Sequence, residues 1–142
     1  MAATRSDLEP GQVITEADYT LTRDSLVRYA GASGDFNPIH YRDDVAETVG
    51  LPGVLAHGML TMGIAAQPVI EWCGNSWTVQ SYQVRFTKPV VVDPETGASL
   101  HVVATVGAVD LDGETPTARI DLTVTSHSGE KVLGKAQMVV TP

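Results

Sequence analysis

The sequence is poor in the groups that mark several large function classes. It has one cysteine in 142 residues, so no internal disulfide can form and a reducing compartment is implied. That cysteine, Cys73, closes an apolar run, where a thiol is more often a small buried hydrophobe than a nucleophile. Basic residues are scarce as well: nine Lys and Arg face 17 Asp and Glu, for a formal charge of -8. Such a chain lacks the net positive footprint of a nucleic-acid or anionic-membrane surface, although Arg42, Arg85, Lys88, Lys131 and Lys135 are left to meet a phosphate locally. The longest apolar stretch, residues 59–72, is too short to span a membrane and is interrupted by Gln67, Pro68 and Glu71. MAATRSDLEP, at the start, lacks the apolar core of a secretory signal. We expect one domain over 1–142, with residues 1–9 a flexible lead-in, and a cytoplasmic location.

What is present falls into a mixed first half and a strand-rich second half. QVITEADYT (12–20) reads as a strand, and Thr22 as the N-cap of a helix with Asp24 in its first turn and Gly31 at its end. A short helix is expected over Asp43–Val49, closed by Gly50. Residues 56–73 place Met59, Leu60, Met62, Ile64, Ala65, Val69 and neighbours around nearly the whole helical circumference, which predicts a helix buried on all sides. Pro68 predicts a kink in it, or two shorter segments. From residue 77 onward the apolar period is two, with turn signals at 93–97, 110–116 and 126–130, which predicts an antiparallel meander. The economical architecture is α+β: a curved antiparallel sheet wrapped around the long helix, the hot-dog arrangement. Its free sheet edges and uncovered helix side predict a dimer.

Two stretches carry candidate chemistry. SGDFNPIH (33–40) sets Asp35 and His40 on a turn stiffened by Asn37 and Pro38, as an acid/base pair requires. On the residues alone, Asp35 as a turn cap and His40 as an ordinary polar group is an equally open reading. AHGML (56–60) sets Gly58 at a helix start, where unpartnered N–H groups can polarise a carbonyl. His57 reads as a core histidine bracing the loop and supporting His40. Asp35, His40 and His57 fall short of a metal site, with neither HxH nor HExxH spacing. His101 and His127 read as surface residues. No GxSxG, Walker or GxGxxG motif occurs.

Together, YAGASGDFNPIHYRDDVAETVGLPGVLAHGMLTMG (29–63) resembles the signature of the MaoC-like (R)-specific enoyl-thioester hydratases and dehydratases. The resemblance extends through VRFTKPV (84–90) to the whole chain, and within the family to catalytic B subunits of actinobacterial type II fatty-acid-synthase (3R)-hydroxyacyl-carrier-protein dehydratases. It implies Asp35 and His40 as the catalytic dyad, the Gly58 N–H as the thioester carbonyl's donor, and Asn37 as the residue ordering the motif. Reversible dehydration of (3R)-hydroxyacyl thioesters carried on coenzyme A or acyl-carrier protein follows, with no metal or redox cofactor. The implied partner is a second copy or a related hot-dog subunit, and Met59, Leu60 and Met62 are candidate acyl-tunnel residues. Where some members carry a helix serine this chain has Ala66, so a hydrogen bond made there must come from elsewhere. The competing readings are a hot-dog thioesterase, for which the helix offers only the distant Glu71, and a non-catalytic acyl-binding subunit.

Overall fold

The computed structural model describes residues 7–142. Five strands, β1 (Val13–Leu21), β2 (Thr78–Phe86), β3 (Ala98–Asp110), β4 (Thr117–Ser126) and β5 (Leu133–Thr141), form one sheet in the order β1-β3-β4-β5-β2. Every pairing is antiparallel. Three helices accompany it: α1 (Arg23–Ser33), α2 (Asp43–Thr48) and α3 (Gly58–Cys73). The period-two pattern is a direct record of the sheet's two faces. Leu100, Val102, Ala104 and Val106 of β3, with Ile120, Leu122 and Val124 of β4, are buried against Ala65, Ala66 and Val69 of α3. This is the hot-dog architecture.

Several expectations need correction. Consecutive strands were expected to pair, yet β2 lies at the far edge beside β5, so only β3, β4 and β5 form a meander. Residues 1–6 of the expected lead-in lie outside the described part, and Leu8 is buried in the core while the Gly11 N–H donates to Val106 O at 2.8 Å. Helix α1 starts as read, with Thr22 and Ser25 forming a reciprocal capping box, but it runs past Gly31 to a left-handed cap at Gly34 (φ 79). Ala32 and Ser33 are compatible with helix, and Gly31 keeps an ordinary negative φ. Helix α3 is one continuous element through Pro68. It is also not buried all round: Met59, Gly63, Gln67, Ile70 and Glu71 form an exposed stripe, because the sheet covers only one side of the helix.

Two fasteners hold the loops between α1 and α3. Arg23 donates from Nε to Val92 O (2.6 Å) and makes a forked contact to the Asp43 carboxylate (2.9 and 3.2 Å). Asp43 Oδ1 also accepts from the Val54 N–H at 3.1 Å. One guanidinium thereby ties the start of α1 to α2 and to the strand-like segments at 54 and 92. The Arg23 fork and the Val54 N–H both hold the Asp43 carboxyl below the ordinary range. The second fastener is Leu55, whose N–H donates to Ile39 O at 3.1 Å. No helix among the described residues is long and apolar enough to cross a membrane.

Candidate active site

The turn after α1 is a ladder of side-chain-to-backbone bonds. The Asp35 N–H donates to Ser33 Oγ (3.1 Å), the Asn37 N–H to Asp35 Oδ1 (3.2 Å) and the Ile39 N–H to Asn37 Oδ1 (3.2 Å). Asn37 thus caps the single 3-10 turn Pro38–His40, whose fixed proline φ suits its first position. The turn-cap reading of Asp35 and the site reading coexist: one carboxylate oxygen caps, and the other faces His40.

His40 is the centre of the arrangement. Its Nδ1 lies 2.7 Å from Leu55 O. A carbonyl oxygen only accepts, so Nδ1 carries the proton and the neutral ring presents its lone pair at Nε2. That Nε2 faces Asp35 Oδ2 at 3.9 Å, beyond a direct hydrogen bond and within reach of one shared oxygen atom. The imidazole is largely enclosed, whereas the Asp35 carboxylate is 52% exposed.

His57 lies directly behind. It is 1% exposed, its ring stacks on His40 (centroids 3.8 Å apart, planes 22°), and Tyr29 meets it edge-on at 4.7 Å. Its Nε2–H donates to the Asp35 backbone oxygen at 3.1 Å, leaving Nδ1 buried without a partner. Burial is the main cause that pushes its pKa below the ordinary histidine value, so it is neutral in the fold. Asp35, His40 and His57 do offer ligand atoms within 4.8 Å of one another, a convergence that spacing did not reveal. Of the His57 nitrogens, Nε2 is engaged with the Asp35 carbonyl and Nδ1 is the one left without a partner.

Gly58 is the first residue of α3, and no side chain caps that helix end. Its N-terminal N–H groups are the positive end of a 16-residue helix. A Cβ at Gly58 would lie 3.0 Å from the Phe86 ring, so the missing side chain keeps a slot open between backbone and ring. Beside it is a cavity of about 370 Å³ whose walls include His40, Gly58, Thr61, Phe86, Lys88 and Val132.

Not every residue singled out in the sequence reaches this cavity. Asp35 stands outside its wall, next to His40 Nε2. Met59 is 59% exposed on the uncovered side of α3, Leu60 packs against the core, and Met62 contributes its carbonyl to the Tyr82 hydroxyl at 2.7 Å; none lines the cavity. Glu71 is exposed at the far end of α3. His101 is clamped between Glu16 and Asp18 (2.8 and 2.7 Å) on the neighbouring strand, and the Asp18 hydrogen bond raises its pKa. Thr61 and Phe86 were missed as cavity residues. Thr61 follows Gly58 by three positions and so returns to the same helix face, a spacing from which it could have been found.

The MaoC like domain family model matches residues 7–128. The chain belongs to this family. Among characterised relatives of the MaoC-like chain, 3-hydroxyacyl-thioester dehydratase X of Mycobacterium tuberculosis is 40% identical over 91 residues, covering 64% of this chain and 31% of that protein. The (R)-specific enoyl-CoA hydratase of Rhodospirillum rubrum is 30% identical over 101 residues, covering 70% and 69% respectively. A solved MaoC-like dehydratase superposes over 99% of this chain and 42% of its own length, at TM-score 0.89 and 34% identity. The chain therefore spans less than half of two of these relatives. The ChsH1-ChsH2 and HadBC complexes of Mycobacterium tuberculosis, at 21% and 17% identity and TM-scores 0.78 and 0.70, share the fold.

Proposed function

We propose that this MaoC-like chain catalyses reversible loss of water from (3R)-hydroxyacyl thioesters to give trans-2-enoyl thioesters, in fatty-acid or related acyl-chain metabolism. The observation that carries the reading is the pairing of a proton-accepting His40 Nε2 with the Asp35 carboxylate across 3.9 Å, beside the uncapped start of α3. The C2 proton of a thioester is weakly acidic, and removing it places charge on the carbonyl oxygen. The Gly58 N–H and the helix end offset that charge; one such donor contributes roughly 3–4 kcal/mol in oxyanion sites. The water oxygen, lost or added at C3, sits between Asp35 Oδ2 and His40 Nε2, and the two groups exchange the protons at C2 and at the hydroxyl as a coupled pair. Thr61 supplies a hydroxyl to the cavity where Ala66 offers none. The acyl group is carried as a coenzyme A or acyl-carrier-protein thioester.

A second hot-dog subunit, identical or related, covers the exposed stripe of α3 and an edge of the sheet. Edge strands β1 and β2 and the complexes that share this fold support that pairing. The reduced, buried Cys73 supports a cytoplasmic setting. Hydration of an enoyl thioester is followed by loss of its ultraviolet absorbance, alone and with a candidate partner subunit. Asp35→Asn and His40→Ala are each expected to lower turnover at least about 100-fold. Near wild-type turnover in both would remove the dyad assignment.

A further inference from the structure

Arg23 is the most enclosed of the four arginines that pair with a carboxylate: its side chain is 24% exposed, against 81, 56 and 41% for Arg28, Arg42 and Arg119. It is also the one that reaches across the fold. The other three meet carboxylates two or four residues away, whereas Arg23 meets Asp43 and the Val92 carbonyl, 20 and 69 residues on. It is the first residue of α1, so the Thr22–Ser25 capping box fixes the base of its side chain. The planar guanidinium then holds three donors in one geometry, which a lysine ammonium cannot copy.

These donors grip the chain on both sides of the bond that places the proton on His40. On the His40 side, the Arg42 N–H donates to Pro38 O at 2.8 Å, and Asp43 follows directly in the chain. On the Leu55 side, Asp43 Oδ1 accepts from the Val54 N–H at 3.1 Å, and Val54 O accepts from the Val92 N–H at 2.9 Å. Arg23 Nε donates to Val92 O, Leu55 bridges to Val91, and the Ala56 N–H donates to Val90 O at 2.8 Å. Leu55 is therefore held on both flanks, and Arg23 touches two of the anchors, Asp43 and Val92. The 2.7 Å contact between His40 Nδ1 and Leu55 O depends on this frame. A free neutral histidine in water favours the proton on Nε2, so the fold inverts the ordinary preference. A slip of about 1 Å takes the contact beyond hydrogen-bonding range.

We propose that Arg23 is a positioning residue for the dyad: its guanidinium, acting through Asp43 and Val92, keeps the Leu55 carbonyl on His40 Nδ1 and leaves Nε2 bare toward Asp35. The consequence for turnover rests on the dehydratase reading above; the proton position does not. Without the guanidinium, Val92 loses its tie to α1 and the ring relaxes toward the Nε2–H form. A ring protonated at Nε2 cannot accept a proton there, so kcat falls with the Nδ1–H fraction while affinity for the thioester is little changed.

The test is nitrogen-15 NMR of the imidazole rings in the full chain at about pH 8, above the ordinary histidine range, where protonated and bare ring nitrogens are resolved. The His40 signals are those that His40→Ala deletes. Arg23→Gln and Arg23→Lys are compared with the parent and with Ile120→Val, a core change in β4 that loosens the fold away from this network. Hydration of crotonyl-CoA is followed for each, alone and with a candidate partner subunit. The parent is expected to show a protonated Nδ1 and a bare Nε2. Arg23→Gln is expected to show the Nε2–H form, with kcat at least about tenfold lower and KM within about threefold. Arg23→Lys keeps a charge beside Asp43 without the three-donor fork, and is expected to show the same change of proton position. Ile120→Val is expected to melt lower than the parent and to keep its proton position and kcat. A parent-like His40 ring in either Arg23 variant overturns the proposal, as does the same change in Ile120→Val or a parent that already carries Nε2–H. A changed proton position in the Arg23 variants of a chain that hydrates no thioester would uphold the positioning role and remove the dehydratase reading.

Discussion

Replacing His57 by phenylalanine separates two things this buried ring does. The substitution keeps a planar ring for the 3.8 Å stack on His40 and the edge contact with Tyr29, and it deletes the 3.1 Å bond to the Asp35 carbonyl. One buried neutral hydrogen bond contributes about 1 kcal/mol, and an oxygen left unpartnered costs about 1–3 kcal/mol. Relief of the unpartnered Nδ1 offsets part of this, so we expect a net loss of about 1–2 kcal/mol at pH 7. The pH dependence is the sharper readout. Burial lowers the folded-state pKa of His57, so below the unfolded value near 6.5 the unfolded chain takes up a proton that the folded chain refuses. Stability contributed by His57 is therefore present above that range and lost as pH falls through it. His101 acts with the opposite sign: its raised pKa stabilises the fold below about 6.5, and that contribution fades as pH rises through its folded value. Urea denaturation of parent and variant between pH 5 and 8 cancels His101, which both share. The expected result is a stability difference that shrinks, or reverses, toward pH 5. A constant difference across the range would refute a neutral, buried His57. Turnover should also fall, up to about 100-fold, as the Asp35 backbone loses its anchor.

Gly58→Ala should leave stability within about 1 kcal/mol, because the Phe86 ring it crowds is more than half exposed and free to move, yet it should depress kcat by blocking approach to the helix end. Gly97→Ala should cost at least about 3 kcal/mol by thermal or urea denaturation: the position has φ 73, and a Cβ would collide with the Leu21 backbone carbonyl, which cannot step aside. Asp43→Ala removes the Arg23 fork and the acceptor of the Val54 N–H, and should lower the urea midpoint at neutral pH, by less in high salt. Its lowered carboxyl pKa contributes stability above pH 4 that is lost as pH falls through the folded value, so the variant and parent curves should converge in acid.

The features legible in the sequence were those written in short-range chemistry. Thr22 capped its helix, the alternating residues of β3 and β4 became two faces, and Asn37 with Pro38 built the turn that holds His40. What escaped depended on long-range placement. The pairing of β2 with β5 joins residues 47 (Phe86 with Leu133) to 63 (Thr78 with Thr141) positions apart, and nothing within β2 encodes its partner. The same limit hid Phe86, which reaches Gly58 only after the sheet closes. Met59, Leu60 and Met62 drew attention as apolar residues beside the glycine, but the sheet covers one side of the helix, and their directions from the axis put them elsewhere.

The proton position on His40 is set by a main-chain oxygen, that of Leu55, and by no side chain. No substitution at residue 55 other than one that moves the backbone can erase it, so alanine scanning would pass over the group that decides which nitrogen is basic. The Leu55 side chain is a separate matter: it lines the cavity beside His40, so a substitution there reshapes the site while leaving the proton position on the ring unchanged. The selection is instead vulnerable to anything that shifts the 54–56 segment against the turn, including the loss of the distant Arg23 fork that pins Val54. A stabilising ion pair far from the dyad thus belongs to the same inheritance as the dyad itself.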